Sequence, residues 1–373
     1  MIIYKNIVDK ISVSSDKKTK QKNYLKQGKL PIIDQGHNLI GGYTDNINTC
    51  LPCDLPVIVF GDHTRAVKYI DFKFGVGADG VKVLRPKEGI FPKYLYYATL
   101  YLVLRLEDKG YARHYQHLEK KSIYVPDTLE QQRIVERIEE MFSQLDSAVE
   151  TLKKTKQQLS VYRQAVLKEA FSNIKDTATI REVSTLVTSG SRGWAKYYSN
   201  QGAKFIRIGN LTRDSIDIVF DDVQYVELPD KAEGLRSKLQ PNDVLVSITA
   251  DLGSIGLVPQ NIGEAYINQH IAVVRFKNTD QGKFMAWYLK SDYGQKDLLK
   301  NKRGAGKLGL GLDDIRDSKV PVVSDDVAES IVNIIEARIS VCDSIEKTVD
   351  TALQQAEAMR QSILKKAFEG KLI

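Results

Sequence analysis

The chain contains an internal repeat. Residues 163–171 read RQAVLKEAF and residues 360–368 read RQSILKKAF, so six of nine positions are identical at a separation of 197 residues. The same separation relates the Asp-Ser pair at residues 146–147 to the Asp-Ser pair at residues 343–344. Self-similarity at one fixed offset indicates a duplicated structural unit. The chain therefore reads as globular segment, helix, globular segment, helix.

Both repeated segments have the spacing of a coiled-coil seam. Apolar residues recur at intervals of four and three, which places them on one face of a helix. The first seam comprises Ile138, Phe142, Leu145, Val149, Leu152, Leu159, Val166 and Ala170. The second comprises Val332, Ile335, Ile339, Cys342, Val349, Leu353, Ala356, Ile363 and Ala367. Polar residues interrupt the two seams at Lys156, Arg163, Glu346 and Arg360.

Neither segment contains proline, and Gly370 follows the second segment as a predicted C-cap. Each helix can run for about 40 residues, or roughly 60 Å. Two such helices in one chain pack most simply on each other in antiparallel orientation. Pairing of helices between chains is the alternative.

The segments outside the helices contain β-type runs and most of the glycine. The runs lie at residues 57–60, 81–84, 205–208, 244–248 and 271–276, and helical stretches lie near residues 93–106 and 282–293. We predict an α+β fold: two globular α/β domains with mainly antiparallel sheets, separated by two long helices that form an antiparallel intramolecular coiled coil. The predicted boundaries are 1–126 (first domain), 127–173 (first helix), 174–320 (second domain) and 321–373 (second helix).

The positive charge is concentrated in the two domains. The net charge is +7, and the four segments carry +8, −1, +3 and −3 in chain order. Basic domains joined by weakly acidic helices favour a polyanion as the partner of the domains.

Composition predicts the cellular compartment. No run of about 18 apolar residues occurs, and the N-terminal MIIYKNIVDK does not resemble a secretory leader. Three cysteines do not make a disulfide framework. We therefore expect a cytoplasmic protein.

The layout resembles the specificity subunits of type I restriction-modification systems, in which two variable domains are each followed by a long helix of shared sequence. Residues 125–135, VPDTLEQQRIV, resemble the family's entry into its first conserved helix, and LKEAF and LKKAFEGKL resemble the helix ends. Residues 188–195 with 205–211 are similar to one recurrent type of target-recognition domain. LPIID, GGY and GDH in the first domain resemble another type. The entry to the second helix, VVSDDVA, departs from the family pattern.

The resemblance implies a non-catalytic DNA-reading subunit. Each domain would read one half of a split recognition sequence in double-stranded DNA, and the helices would set the spacing between the halves. The helices would also dock two methyltransferase subunits and, through them, the restriction and motor subunits. S-adenosylmethionine, ATP and magnesium would be bound by those partners, and this chain would hold no cofactor or metal.

Candidate DNA contacts in the second domain fall in three regions. Residues 300–307, KNKRGAGK, place cations around two glycines and provide Lys302, Arg303 and Lys307 as phosphate ligands. In SGSRGW, Ser191 and Arg192 are candidates, and Arg192 would bind guanine. Trp194 would either stack on DNA or pack in the core. The remaining candidates are Arg207 and Asn210 in the family-like stretch, and Gln269 as a reader of adenine.

Candidate contacts in the first domain follow a predicted strand and a turn. His63 and Arg65 lie in this turn, and Arg113 and Gln116 lie in the polar cluster RHYQH just before the first helix. Gln116 has the same adenine-reading chemistry as Gln269.

The enzymatic alternatives lack their motifs. A methyltransferase would need an Asn-Pro-Pro-aromatic strand, and the chain contains no Pro-Pro dipeptide. Asp62, Asp71 and Lys73 fit only a very relaxed nuclease pattern. Cys50 and Cys53 form half of a zinc motif without a second pair. A structural coiled-coil dimer whose domains bind proteins remains the competing binding function.

Overall fold

The structure is a computed structural model that describes residues 1–107, 110, 112–190, 192–229, 235–300, 302–303 and 308–373. The chain forms two compact units, one of residues 1–152 with 350–373 and one of residues 153–349. Each unit combines one globular domain with parts of both long helices. The four predicted segment boundaries divide the chain differently and stay a prediction.

In its described residues, the first domain contains ten strands and two α-helices before the first long helix. The strands are β1 (Ile2–Ile3), β2 (Val8–Ile11), β3 (Lys18–Thr19), β4 (Leu30–Ile33), β5 (Gly42–Thr44), β6 (Val57–Gly61), β7 (Val67–Ile70), β8 (Gly75–Gly77), β9 (Val81–Pro86) and β10 (Ser122–Ile123). The helices are α1 (Pro92–Leu104) and α2 (Tyr115–Leu118), and the long helix is α3 (Thr128–Phe171).

The described part of the second domain also has ten strands, but four α-helices precede its long helix. Its strands are β11 (Thr177–Thr179), β12 (Ser184–Ser189), β13 (Tyr198–Ser199), β14 (Ala203–Ile206), β15 (Gln224–Val226), β16 (Val244–Ser247), β17 (Ile255–Leu257), β18 (Ala265–Ile267), β19 (Ile271–Phe276) and β20 (Lys319–Pro321). Its helices are α4 (Ile180–Val183), α5 (Gly282–Lys290), α6 (Asp292–Leu298), α7 (Leu312–Arg316) and the long helix α8 (Asp325–Phe368).

The main sheets of the two domains have matching strand orders. The order is β2-β9-β6-β7 in the first domain and β12-β19-β16-β17 in the second, and every pairing in both sheets is antiparallel. Each domain has a second, mixed four-stranded sheet, β3-β8-β4-β5 or β13-β15-β14-β18. Two-stranded pairs, β1-β10 and β11-β20, tie the start of each domain to the residues that precede α3 and α8. The duplication inferred from the helices therefore extends to the domains, whose sequences differ.

The seam residues account for the length of the helices. Ile138, Val166, Ile335 and Ile363 are all buried, as their spacing predicts. Gly370 has φ +69°, and the amide of Lys371 donates to the carbonyl of Lys366 at 2.8 Å, which is the Schellman arrangement that ends a helix. The predicted C-cap is confirmed, and both helices have 44 residues.

The final aromatic residue of each repeat joins the long helices to a domain. Phe171 packs edge-on against Phe284 of α5, with ring centroids 5.6 Å apart. Phe368, its equivalent 197 residues later, packs against Tyr94 of α1 at 5.1 Å and stacks on Tyr101 at 5.4 Å. Both phenylalanines are almost fully buried, so each anchors a helix end in the core of its own unit.

The polar residues that interrupt the seams pair with acidic residues across the helix interface. In the second unit, Arg163 of α3 contacts Asp343 at 2.5 Å and Glu346 at 2.7 Å, while Lys156 contacts Glu346 at 3.3 Å. Further along α3, Glu169 contacts Arg338 at 2.6 Å. Positions rise along α3 as they fall along α8, so the two helices are antiparallel in this unit, as predicted.

Two sequence predictions need adjustment. The helical stretch predicted near residues 282–293 is broken at Ser291, whose extended backbone ends α5 and whose hydroxyl caps α6 by accepting from the amide of Gly294 at 3.3 Å. The strand predicted at residues 205–208 ends at Ile206, because the chain turns into a short 3-10 helix at Ile208–Asn210.

Candidate nucleic-acid interface

A tight turn after β6 positions two of the predicted residues in the first domain. The amide of Gly61 donates to the carbonyl of Ala66, and the amide of Arg65 donates to the carbonyl of Gly61, both at 2.8 Å. Arg65 has φ +62°, so the chain reverses sharply at this residue. A Cβ at Gly61 would lie 2.7 Å from the backbone carbonyl oxygen of Gln35, and this position therefore requires glycine. The turn holds His63 and Arg65 at the end of a buried strand.

The buried carboxylate of Asp62 joins this turn to the segment before the first long helix. Its Oδ1 accepts from the amide of Tyr115 at 2.8 Å, and its carbonyl accepts from the amide of His114 at 2.9 Å. The Nδ1 atom of His63 lies 3.2 Å from the carbonyl oxygen of Ala112. Segments about 50 residues apart are thereby brought side by side.

The result is a cluster of four predicted DNA contacts. His63 and Arg65 are partly exposed, and Arg113 and Gln116 are exposed beside them. Lys82, which no sequence pattern indicated, pairs with the second carboxylate oxygen of Asp62 at 3.2 Å and adds a cation to the cluster. Nothing in the local sequence around Lys82 marks it, because it joins the cluster only through pairing of β9 with β6.

In the second domain the predicted residues come together beyond the end of β16 and before the start of β19. The carbonyl of His270 accepts from the amide of Ile248 at 2.9 Å, and Thr249 forms a backbone bridge with Gly309. Gly309 in turn exchanges two backbone hydrogen bonds with Arg303, at 2.8 and 3.0 Å. Gln269 therefore lies at the same end of the sheet as the basic segment that contains Lys302 and Arg303.

The strand edge beside Gln269 positions Arg192 and Arg207. The amide of Asn268 donates to the carbonyl of Ile206 at 3.2 Å, directly before Arg207. A Cβ at Gly190 would lie 1.9 Å from the carbonyl oxygen of Ile267, so only glycine permits this close approach of the chain that leads to Arg192.

Gln269 and four cations, Arg192, Arg207, Lys302 and Arg303, form a second cluster. These cations differ in how far their charged groups are free to meet DNA. Arg303 is 80% exposed at its side chain, although it lies 3.1 Å from Asp314, and Lys302 and Arg192 are exposed. Arg207 is partly tied down, because its Nη2 lies 3.2 Å from the carbonyl oxygen of Asp222 and 3.3 Å from its carboxylate. A phosphate or a base would have to compete with Asp222 for Arg207.

Trp194 and Asn210 have structural roles that keep them from DNA. Trp194 is 4% exposed, stacks on Phe205 with ring centroids 5.5 Å apart and meets Tyr266 edge-on at 5.3 Å. The core packing that the sequence left open for Trp194 is therefore the one observed, because Gly193 at φ +76° turns the chain back into the sheet. The prediction that Trp194 contacts DNA is corrected accordingly.

Asn210 is 3% exposed, and its amide is fully used within the domain. Its Oδ1 accepts from the amide of Arg207 at 2.9 Å, and its Nδ2 donates to the carbonyl of Val219 at 2.9 Å. It thus holds the turn that presents Arg207, and its prediction as a DNA contact is corrected too. The predicted contacts Ser191 and Lys307 lie outside the described residues.

An ion pair fixes the loop that carries Thr249. Asp251 accepts from the Nε of Arg213 at 3.0 Å, and this hydrogen bond holds the pKa of Asp251 below its usual value. Close by, the ammonium of Lys290 donates to the carbonyls of Thr212 and Ser215 at 3.2 and 2.8 Å. Burial lowers the pKa of Lys290 to about 8. Arg213 therefore ties down the loop that carries Thr249, and Lys290 ties down the segment that carries Arg213.

Within the described parts of the chain, no group of three or more His, Cys, Asp or Glu side chains could hold a metal ion. Cys50 and Cys53 are free, partly exposed thiols, and Cys342 is buried on the α8 seam as its spacing predicts. No helix in the described residues is both long and apolar enough to cross a membrane.

A family model described as the type I restriction modification DNA specificity domain matches residues 5–160 and 169–355. The chain belongs to this family. The resemblance inferred from the repeat and from the helix ends is therefore confirmed. The two matched stretches correspond to the two halves of the duplicated chain, as expected for a specificity subunit.

Curated relatives in the specificity family are similar over much of the chain. The EcoBI specificity subunit of Escherichia coli is 26% identical over 292 residues, which cover 69% of this chain and 60% of that subunit. The StySPI specificity subunit of Salmonella potsdam is 26% identical over 407 aligned residues, which cover 95% and 85%. The chain thus spans less than two thirds of the first of these relatives and most of the second.

Solved structures agree with the specificity-family fold. A chain from work on complex assembly and conformational transition of the type I R-M system has a TM-score of 0.70 at 14% identity, with 92% of both chains covered. The HsdS subunit from Thermoanaerobacter tengcongensis has a TM-score of 0.50 at 14% identity, with 99% of this chain covered. At this identity the similarity establishes the fold alone.

Proposed function

We propose that this chain is the DNA-recognition subunit of a type I restriction-modification complex and that each domain reads one half of a split sequence. The observation that carries the proposal is the duplicated domain with matching sheet orders, in which each copy presents a cluster of cations beside amide side chains. Cations supply affinity for phosphates, and glutamine side chains supply base discrimination. Because the two clusters consist of different residues, they would read different half-sites.

The two long helices would set the number of unread base pairs between the half-sites. Each contains 44 residues, and each unit fixes the helix register with an arginine-to-aspartate contact at an equivalent position. A stiff connection of this kind makes binding of the second half-site effectively intramolecular. The spacing between the half-sites would then be as specific as the half-sites themselves.

An exposed apolar face of α8 supports docking of a methyltransferase subunit. Ile334, Val341 and Ile345 are 48%, 59% and 40% exposed, and their spacing of seven and four residues places them on one face of the helix. This face is distinct from the seam that packs on α3. A row of exposed apolar side chains on an otherwise polar helix is typical of a protein interaction surface.

The chemistry of the complex would belong to the partners. Two methyltransferase subunits would bind S-adenosylmethionine, and restriction and motor subunits, docked through them, would bind ATP and magnesium. The complex would act in the cytoplasm, where the DNA is.

The exposed face of α8 can be tested by substitution. The charge substitutions Val341→Asp and Ile345→Asp should abolish co-purification with the methyltransferase subunit. Val161→Asp, at an exposed position on α3, serves as the matched control.

Methylome sequencing of the host tests the proposed function. With the partner subunits active, deletion of this gene should remove methylation from one split motif and from no other. Restoration by the wild-type gene should return the same motif. An unchanged methylome in the deletion strain would overturn the proposal.

A further inference from the structure

A hydrogen-bonded chain of three side chains in the second cluster ends on Gln269. The Oγ1 of Thr249 lies 2.7 Å from the Nδ1 of His270, and the Nε2 of His270 lies 2.9 Å from the Nε2 of Gln269. All three residues are partly buried. The chain therefore connects the supported loop after β16 with the candidate adenine reader.

The chemistry of these contacts determines which atoms carry protons. The side-chain nitrogen of glutamine is only a donor, so the ring nitrogen that faces it must be the acceptor. With the Gln269 amide in this orientation, the imidazole proton resides on Nδ1 and is donated to the hydroxyl oxygen of Thr249. One N–H of the Gln269 amide is used by His270, and its Oε1 and remaining N–H stay available.

The backbone around His270 is held as firmly as its ring. Its amide donates to the Oδ1 of Asn268 at 3.1 Å, and its carbonyl accepts from the amide of Ile248 at 2.9 Å. Thr249 is fixed in turn by its backbone bridge with Gly309. An imidazole held by these contacts would oppose rotation of the Gln269 amide by a half-turn.

We propose that Thr249 and His270 are positioning residues that lock the amide of Gln269 so that it reads adenine and rejects guanine at one position of the DNA site. This inference rests on the proposed function and names a determinant of its specificity. Adenine offers N7 as an acceptor and its N6 amino group as a donor, which match one N–H and one carbonyl oxygen. Guanine offers two acceptors, N7 and O6, so the locked Oε1 would face O6 with no hydrogen between them. An amide free to rotate would lose this distinction.

The test uses the specificity subunit in complex with its methyltransferase partners and duplexes that carry the split motif found by methylome sequencing. Each adenine of the motif is replaced in turn by guanine, with its complement, or by 7-deaza-adenine, which lacks the N7 acceptor. Dissociation constants are measured at one salt concentration for the wild type and for the variants Gln269→Ala, Thr249→Val and Thr249→Ser.

We expect one adenine at which either replacement weakens wild-type binding by about 10- to 100-fold. Gln269→Ala should remove this discrimination. Thr249→Val should reduce it at least several-fold, because the hydroxyl acceptor is lost, whereas Thr249→Ser should retain it. In the Gln269→Ala background, Thr249→Val should have no further effect on discrimination, which separates positioning from a general loss of stability.

Two controls sharpen the result. Gln260→Ala removes an exposed amide of the same type, which contacts Asn242 at 3.1 Å, and should behave as the wild type. Gln269→Glu should shift the preference at the same position towards cytosine, because a carboxylate accepts a hydrogen bond from the amino group of cytosine.

Full discrimination by the Thr249→Val variant would overturn the positioning role. Full discrimination at every adenine by the Gln269→Ala variant would overturn the role of Gln269 as the reader. A motif without an adenine that responds in the wild type would also overturn the inference. A wild-type complex that did not prefer its motif over unrelated DNA would instead refute the proposed function, so the two failures are distinguishable.

Discussion

The guanidinium of Arg163 on α3 contacts the carboxylate of Asp343 on α8 at 2.5 Å. The equivalent positions 197 residues away make the same contact with the helices exchanged, since Arg360 of α8 donates to Asp146 of α3. A polar pair within an apolar seam favours one register over neighbouring ones, because a slipped register would leave the buried arginine without its carboxylate. The duplication of the chain therefore places one register-determining pair in each unit.

We expect Arg163→Met to destabilise the protein more than Arg360→Met. The Arg163 side chain is 10% exposed and contacts two carboxylates, whereas the Arg360 side chain is 25% exposed and contacts one, with its guanidinium 4.8 Å from the ring of Phe142. Removing a largely buried charge partner costs about 2 kcal/mol, and removing a more exposed one costs up to about 1 kcal/mol. Urea unfolding of the two variants measures the difference. Equal losses would contradict the unequal burial of the two arginines.

Acid should weaken the contact between Arg163 and Glu346. The hydrogen bond from Arg163 lowers the pKa of Glu346 below its ordinary value of 4.5. A carboxylate with a lowered folded-state pKa contributes stability above the unfolded-state value and loses it as the pH falls through the folded-state value. The stability advantage of the wild type over Glu346→Gln should be constant above about pH 6 and should shrink below about pH 4.5. A stability advantage of the wild type that increased as the pH fell would contradict a lowered pKa of Glu346.

The sequence predicted the helices better than the domains, for a physical reason. A seam repeated over 44 residues is a strong periodic signal, and both helices and the cap at Gly370 are where that signal placed them. The polar interruptions were visible in the sequence, but their pairing required the antiparallel register. Strands of two to six residues carry little periodicity, so the matched sheet orders could not be inferred from the sequence.

Substitutions at the nearby residues Trp194 and Arg192 should have different effects, one on stability and the other on DNA binding. Trp194→Ala should lower the free energy of unfolding by about 3–5 kcal/mol, because it empties a stacked aromatic site. Arg192→Ala changes an exposed side chain and should change stability by less than about 0.5 kcal/mol while it weakens binding of the motif. Thermal unfolding and DNA titration of both variants give the comparison. An Arg192→Ala variant that is less stable than the wild type but binds the motif normally would contradict the assignment of Arg192 to the DNA interface.

Lys302 should act on phosphates and not on bases. It is exposed in the basic segment of the second domain. Lys302→Gln should weaken binding to the motif and to unrelated DNA by the same factor and should reduce the slope of log K against log salt by about 0.9. Lys365→Gln, an exposed charge on α8, is the control and should leave the slope unchanged. A loss confined to the motif would mean that Lys302 reads a base.

The candidate site was only partly predictable from the sequence. Polar residues in connecting segments, such as Arg113 and Gln269, were predicted as DNA contacts because segments that join strands commonly carry function. Trp194 and Asn210 were assigned to DNA because their residue types suit stacking and base contacts, but their burial depends on tertiary packing. Thr249 and His270 carry no recognisable motif, and the contact between them, next to Gln269, forms only when β16 and β19 pair.

The dependence of affinity on the spacing of the half-sites tests whether the two long helices hold the two domains at a fixed separation. The complex with its methyltransferase partners is titrated with duplexes that keep both half-sites and vary only the number of base pairs between them. Each base pair changes the separation by about 3.4 Å and rotates one half-site by about a tenth of a turn. We expect one optimal spacing, with affinity at least about tenfold weaker when one or two base pairs are added or removed. Equal affinity across all spacings would contradict it.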